Sequence, residues 1–194
     1  MSPKATRDRV NPEKMDTTPL RRPDWIKVHA PSGETYAWLK ELMQRKELHT
    51  VCEEANCPNM GECWGSGTAT FLVLGDICTR RCGFCDVQRG VPLPLDEEEP
   101  ERVAQAVKAM ELKHAVITSV DRDDDILGGA RIFAAIIRSI RTAAPGCSVE
   151  VLIPDFRADP EALRLIMAEK PDILNHNVET VPRLYQRVQP QDRH

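Results

Sequence analysis

The 194-residue chain has no surplus of basic residues, no long apolar run and no even set of cysteines. Each absence removes a class of protein. Lysine and arginine total 26 against 30 acids, a formal net charge of −4, whereas nucleic-acid binders usually carry a basic surplus. No stretch is apolar enough to cross a bilayer. Lys4, Arg7, Arg9, Lys14, Arg21 and Arg22 gather near the start. Asp8, Glu13 and Asp16 interrupt them, and the apolar core of a secretory signal is missing. These features predict a cytoplasmic protein that binds neither nucleic acid nor membrane. Seven cysteines, an odd number without an export signal, do not suit a disulfide framework. Six of them fall between residues 52 and 85, and such clusters in a reducing compartment serve more often as metal ligands.

What is present is a soluble globular composition, 41% hydrophobic and 29% charged. Residues 1–24, rich in Pro, Lys, Arg, Asp and Thr, read as a flexible arm. Residues 25–67 form an extension that holds one helix, Gly33 to Glu47, with Tyr36, Trp38, Leu39, Leu42 and Met43 at helical steps. A cysteine-bearing loop follows from Thr50 to Gly67. Residues 68–194 then alternate. Strands are predicted at Thr68–Leu74, His114–Val120, Ser148–Ile153 and Asp172–Asn177. Helices are predicted at Glu99–Leu112, Ala130–Ala143, Pro160–Glu169 and Val181–Val188, two of them opened by proline. Four βα units imply an α/β fold with a parallel sheet, too few units to close a barrel.

The cysteines form two triplets. Cys78-x3-Cys82-x2-Cys85 follows the first strand of the βα series, where working loops lie in such folds. Three thiolates at this spacing can hold three irons of a cubane and leave the fourth open for chemistry. A zinc knuckle is the plainer alternative. Cys52-x4-Cys57-x5-Cys63 again supplies three thiolates, and a zinc site completed by His49 stays open for it. Cys147 stands alone and reads as a buried thiol. The run Asp121–Asp125 reads as a solvated acidic loop.

The stretch GDICTRRCGFCDV, with Phe84 before its last cysteine, resembles the signature of the radical S-adenosylmethionine (SAM) superfamily. TVCEEANCPNMGECW resembles the auxiliary-cluster motif of lipoyl synthases, as do VITSVDRDD with Gly128–Gly129, EVLIPDF and HNVETVPRLY. The resemblance implies part of a radical-SAM partial TIM barrel and two [4Fe–4S] clusters. Cys78, Cys82 and Cys85 would hold the cluster that cleaves S-adenosylmethionine. Cys52, Cys57 and Cys63 would hold an auxiliary cluster that donates sulfur. The implied reaction inserts sulfur at C6 and C8 of an octanoyl chain on a lysine of a lipoyl carrier domain. Such carriers are the E2 subunits of 2-oxoacid dehydrogenases and the glycine cleavage H protein, and the reductant would be a ferredoxin or flavodoxin. No acid–base side chain is needed, because the cofactor carries the hard step. Phe84, Thr118, Ser119, Asp121, Asn175 and Asn177 are candidates to contact S-adenosylmethionine.

The sequence departs from the family pattern twice. Leu127 stands where an acidic residue usually precedes the Gly-Gly pair, and after Val188 only QPQDRH follows. The family's Arg-Ser-Ser-Tyr serine, a ligand of the auxiliary cluster, is absent. A fragment or an open half-barrel with an exposed edge is therefore expected. Three alternatives to a sulfur-inserting enzyme stay open: a radical SAM enzyme for another substrate, a non-catalytic iron–sulfur protein and a zinc-stabilised module.

Overall fold

The computed structural model describes residues 34–191 apart from 55, 56, 58, 66 and 67, together with Pro23. The arm expected over residues 1–24 therefore lies, Pro23 excepted, outside the described residues. Helix α1 (Glu34–Arg45) follows the predicted spacing and buries Leu39, Leu42 and Met43. The cysteine loop read between residues 50 and 67 contains two short helices. Strand β1 (His49–Thr50) leads into helix α2 (Val51–Glu54), and helix α3 (Met60–Gly65) follows. Leu39, Cys52 and Trp64 form a small apolar cluster there, with the Tyr36 ring 5.2 Å from that of Trp64.

The remainder is the βα series. Strand β2 (Thr70–Val73) is followed by helix α4 (Glu99–Ala109), strand β3 (His114–Ser119) by helix α5 (Ile126–Ala143) and strand β4 (Ser148–Leu152) by helix α6 (Pro160–Ala168). Strand β5 (Ile173–Asn175) leads to a 3₁₀ turn at Pro182–Leu184 and a short helix α7 (Tyr185–Val188). The sheet order is β1-β2-β3-β4-β5, with β1 antiparallel to β2 and every other pair parallel. Among the described residues β5 pairs with β4 alone.

Helix α5 packs between α4 and α6 and buries Ile132, Phe133, Ile136, Ile137 and Ile140. It begins four residues earlier than the sequence predicts, because Asp125 caps it by accepting a hydrogen bond from the Gly128 N–H. Proline opens α4 and α6, and Asp159 caps α6 by accepting from the Glu161 and Ala162 amides. Strand side chains alternate by face. Ala115, Ile117, Val149 and Val151 are buried in the core, whereas Thr118 and Leu152 point to the other face and are half-buried. Helices cover the first face. The second is open enough to carry a site.

Candidate metal centre and adjoining cleft

The loop from β2 to α4 carries Cys78, Cys82 and Cys85. It leaves the sheet through a tight turn in which Leu74 and Gly75 take φ of 70° and 93°. Its turns have few backbone partners of their own. Cys78 donates to the Gln88 carbonyl at 2.8 Å, and Arg89 donates from Nη2 to the carbonyls of Cys82 and Cys85 at 2.8 and 3.2 Å. From the far end of the chain the Val188 carbonyl accepts from the Gly83 N–H at 2.8 Å. All three thiols are free and half-exposed. Burial, then the Asp121 charge and the neighbouring thiols of Cys85 and Cys78, push the Cys82 thiol up to about 11, with Arg80 pulling the other way. Burial also raises Cys78, partly offset by the amides of Arg80 and Asp121, each donating to Sγ at 3.4 Å.

The first triplet gathers separately. Burial raises Cys52, the Thr70 backbone opposes it, and Cys57 and Cys63 are close enough to add to the shift. Cys57 donates its N–H to the Cys52 carbonyl at 3.0 Å. His49 lies instead along a cavity with Asp76, Glu99 and Arg102. Among the described residues no three His, Cys, Asp or Glu converge on one ion. A cubane spreads its thiolates over separate irons, so each set of three soft donors suits a cluster without such convergence. Cys147 is a buried core thiol, as its sequence setting suggests.

Beside the second triplet lies a cleft of about 270 Å³. Cys82 and Cys85 line one side, and Val51, beside Cys52, lines another. Of the residues singled out for cofactor contact, Phe84, Thr118, Ser119, Asp121 and Asn177 all line it. Phe84 is 53% exposed, a large apolar ring held at the surface. Ser119 Oγ is buried with no hydrogen-bond partner among the described residues, while Thr118 donates its hydroxyl to the Leu152 carbonyl at 3.1 Å. Asn175 is the exception. Its amide donates to Glu150 at 2.5 Å, and it does not border the cleft.

The acidic run Asp121–Asp125 is solvated only at Asp124 and Asp125; Asp121 and Asp123 are half-buried. Arg80, 2% exposed, donates from Nε and Nη2 to Asp123 at 2.9 and 2.7 Å and from Nη2 to Asp155 at 2.5 Å. Asp121 lies 3.4 Å from Nε. Burial works against the Arg80 charge, but bonds to Asp123 and Asp155 outweigh it and hold the guanidinium above its usual range. Arg122, 7% exposed, pairs with Asp124 at 2.8 Å and donates to the Leu74 carbonyl. Asp155 starts a turn in which Phe156, Arg157 and Ala158 take φ of 46°, 53° and 61°. Left-handed backbone costs a residue with a side chain about 1–2 kcal/mol. In the sequence Arg80 stands 43 positions before Asp123, and no local spacing joins them.

Residues 72–192 match the Radical SAM superfamily. The chain belongs to the radical SAM superfamily. Residues 2–57 of this radical SAM chain match the N-terminal domain of lipoyl synthase of that family. It is 57% identical over 181 residues to a lipoyl synthase of Chloroflexus aggregans, covering 93% of the chain and 59% of that relative. It is 54% identical over 188 residues to a lipoyl synthase of Koribacter versatilis, covering 97% of the chain and 60% of the relative. With a lipoyl synthase of Rubrobacter xylanophilus the identity is 59% over 170 residues, 88% of the chain and 53% of the relative. The chain thus spans between half and two thirds of the curated relatives it matches. Radical SAM membership implies a [4Fe–4S] cluster and S-adenosylmethionine. No helix among the described residues is long and apolar enough to cross a membrane.

Proposed function

We propose that the chain carries the radical-generating and sulfur-donating parts of a lipoyl synthase. In this reading Cys78, Cys82 and Cys85 ligate one [4Fe–4S] cluster, and Cys52, Cys57 and Cys63 ligate a second. The reading is supported by two separate cysteine triplets, one of which borders the same cleft as five of the candidate cofactor contacts. The substrate is an octanoyl chain on a lysine of a lipoyl carrier domain, with sulfur delivered to C6 and C8, and a small electron carrier of ferredoxin or flavodoxin type supplies electrons. When bound, the cofactors supply a 5′-deoxyadenosyl radical for unactivated C–H bonds and sulfide for the product.

The chain's own residues bind, orient and exclude water. Ser119 Oγ, without a hydrogen-bond partner among the described residues, borders the cleft and suits a polar part of S-adenosylmethionine. Asp121 supplies a carboxylate for an ammonium or ribose hydroxyl, and the exposed Phe84 ring suits the adenine. Asn177 borders the same rim. Val51, Leu72 and Leu152 give the cleft an apolar floor, fitting a hydrocarbon chain and keeping water from a radical. Residues 25–67 serve as the auxiliary-cluster segment and 68–194 as the radical core.

The test is anaerobic turnover with S-adenosylmethionine, a reductant and an octanoylated carrier domain. Replacing Cys52, Cys57 and Cys63 by alanine should leave 5′-deoxyadenosine formation and remove the lipoyl product. Persistence of lipoyl product in that variant contradicts the donor role.

A further inference from the structure

We propose that Arg80 is a positioning residue, a charged pin that holds the backbone of the Cys78–Cys85 loop in the geometry that retains its cluster. The inference deepens the assignment of those cysteines as ligands and rests on it. From Leu74 to Glu98 the chain forms no named helix or strand; one backbone bridge pairs Cys78 with Arg89, and side chains supply further ties. Arg80 stands between the first two cysteines of the triplet and is the most deeply buried charged residue there.

Its anchors come from two other βα units. Asp121 and Asp123 follow β3, and Asp155 follows β4. The planar guanidinium grips Asp123 with two parallel bonds, a geometry that lysine does not reproduce. The backbone around it is stitched to the same segment. Thr79 donates from N and Oγ1 to the Asp121 carbonyl at 3.1 and 2.9 Å and accepts from the Asp123 amide at 3.1 Å. The amides of Arg80 and Asp121 both meet Cys78 Sγ. Movement of the pin therefore moves a ligand sulfur and its hydrogen bonds.

Asp155 is delivered by unfavourable backbone. Three successive residues bearing side chains sit in the left-handed region just after it. Such conformations persist where the surroundings over-determine them. Here Asp155 accepts from Arg80 and from the Arg157 amide, and Phe156 is buried edge-on against Phe133. Buried ion pairs are weak sources of stability, but they fix geometry, and groups behind a metal ligand tune how firmly it holds.

The test uses the full chain reconstituted with iron and sulfide, with Arg80→Met, Arg80→Lys and Asp155→Asn compared with the unaltered protein. Arg80→Met should release the iron held by Cys78, Cys82 and Cys85 to a chelator about ten-fold faster, with the other iron unaffected. Amide hydrogen exchange across residues 77–83 should speed up in the same variant before any iron is added, a readout independent of the cluster. Arg80→Lys should recover part of both effects, and Asp155→Asn, which keeps side-chain size, should show both more weakly. Unchanged exchange and iron release within two-fold of the unaltered protein in Arg80→Met would overturn the proposal. If Arg80→Met does not fold, Asp155→Asn decides by the same two readouts. If Cys78, Cys82 and Cys85 can be replaced without loss of iron, the ligand assignment fails first, whatever Arg80 does to exchange, and the proposal falls with it.

Discussion

Glu99 shows how a single buried acid is tied to the turn that launches the cysteine loop after β2. It is 4% exposed in the first turn of α4 and accepts a hydrogen bond from the Leu74 N–H at 3.0 Å. Burial raises its carboxyl above the ordinary 4.5, with the Leu74 amide and the Arg102 charge offsetting part of the rise. The folded protein therefore keeps this proton to higher pH than the unfolded chain does. Between 4.5 and the raised value the folded state binds more protons, so this residue's contribution to stability falls as pH rises through that window. Glu99→Gln has no proton to lose. Its melting temperature relative to the unaltered protein should climb as pH rises from below 4.5 and level off above the window. Thermal melts of the cofactor-free chain across that range check this, and a gap that does not change with pH would count against it.

At the scale of elements, the Gly-Gly pair at the head of α5 has a steric reason. A Cβ on Gly128 would lie 2.1 Å from Asp125 Oδ2 and 2.6 Å from Leu95 Cδ1. Gly128→Ala must displace the capping carboxylate, losing about 1 kcal/mol of cap and adding about 1–3 kcal/mol of overpacking. Gly146→Ala meets nothing within 4 Å and should stay within about 0.5 kcal/mol of the unaltered protein. Denaturant unfolding of both variants measures the contrast, and equal stabilities would refute the steric account. The same cap explains a limit of sequence reading. Gly128–Gly129 looks like a loop until Asp125 is seen to satisfy the first amides. The four βα units are legible because β-branched strands and apolar helical stripes carry strong periods. Strand β1 is not, because two residues carry no period. The cysteines are legible because their spacing is local. The Arg80 pin is not, because Asp155 lies 75 positions away and only the sheet brings it near.

For the whole molecule, the parallel sheet does the assembling. The register pairs Val73 with Ser119, Thr118 with Leu152 and Leu152 with Asn175, so the strands end along one rim. Onto that rim come the cysteine loop after β2, the acidic segment after β3 and the turn after β4. The α2 segment reaches it through Val51, and Gln189, just past α7, borders it from the far end. Residues distant in the chain thus meet at one cleft, bordered by Cys82 and Cys85 of the second triplet and by Val51, next to Cys52 in sequence. The central claim is that the two cysteine triplets hold two separate four-iron clusters. Iron quantification with Mössbauer spectroscopy tests it most directly on the reconstituted protein and on two variants, each with one triplet replaced by alanine. The account predicts about eight irons in the unaltered chain and about four in each variant, with different spectra for the two remainders. Iron staying near eight in either variant, or vanishing altogether when one triplet is removed, would contradict it.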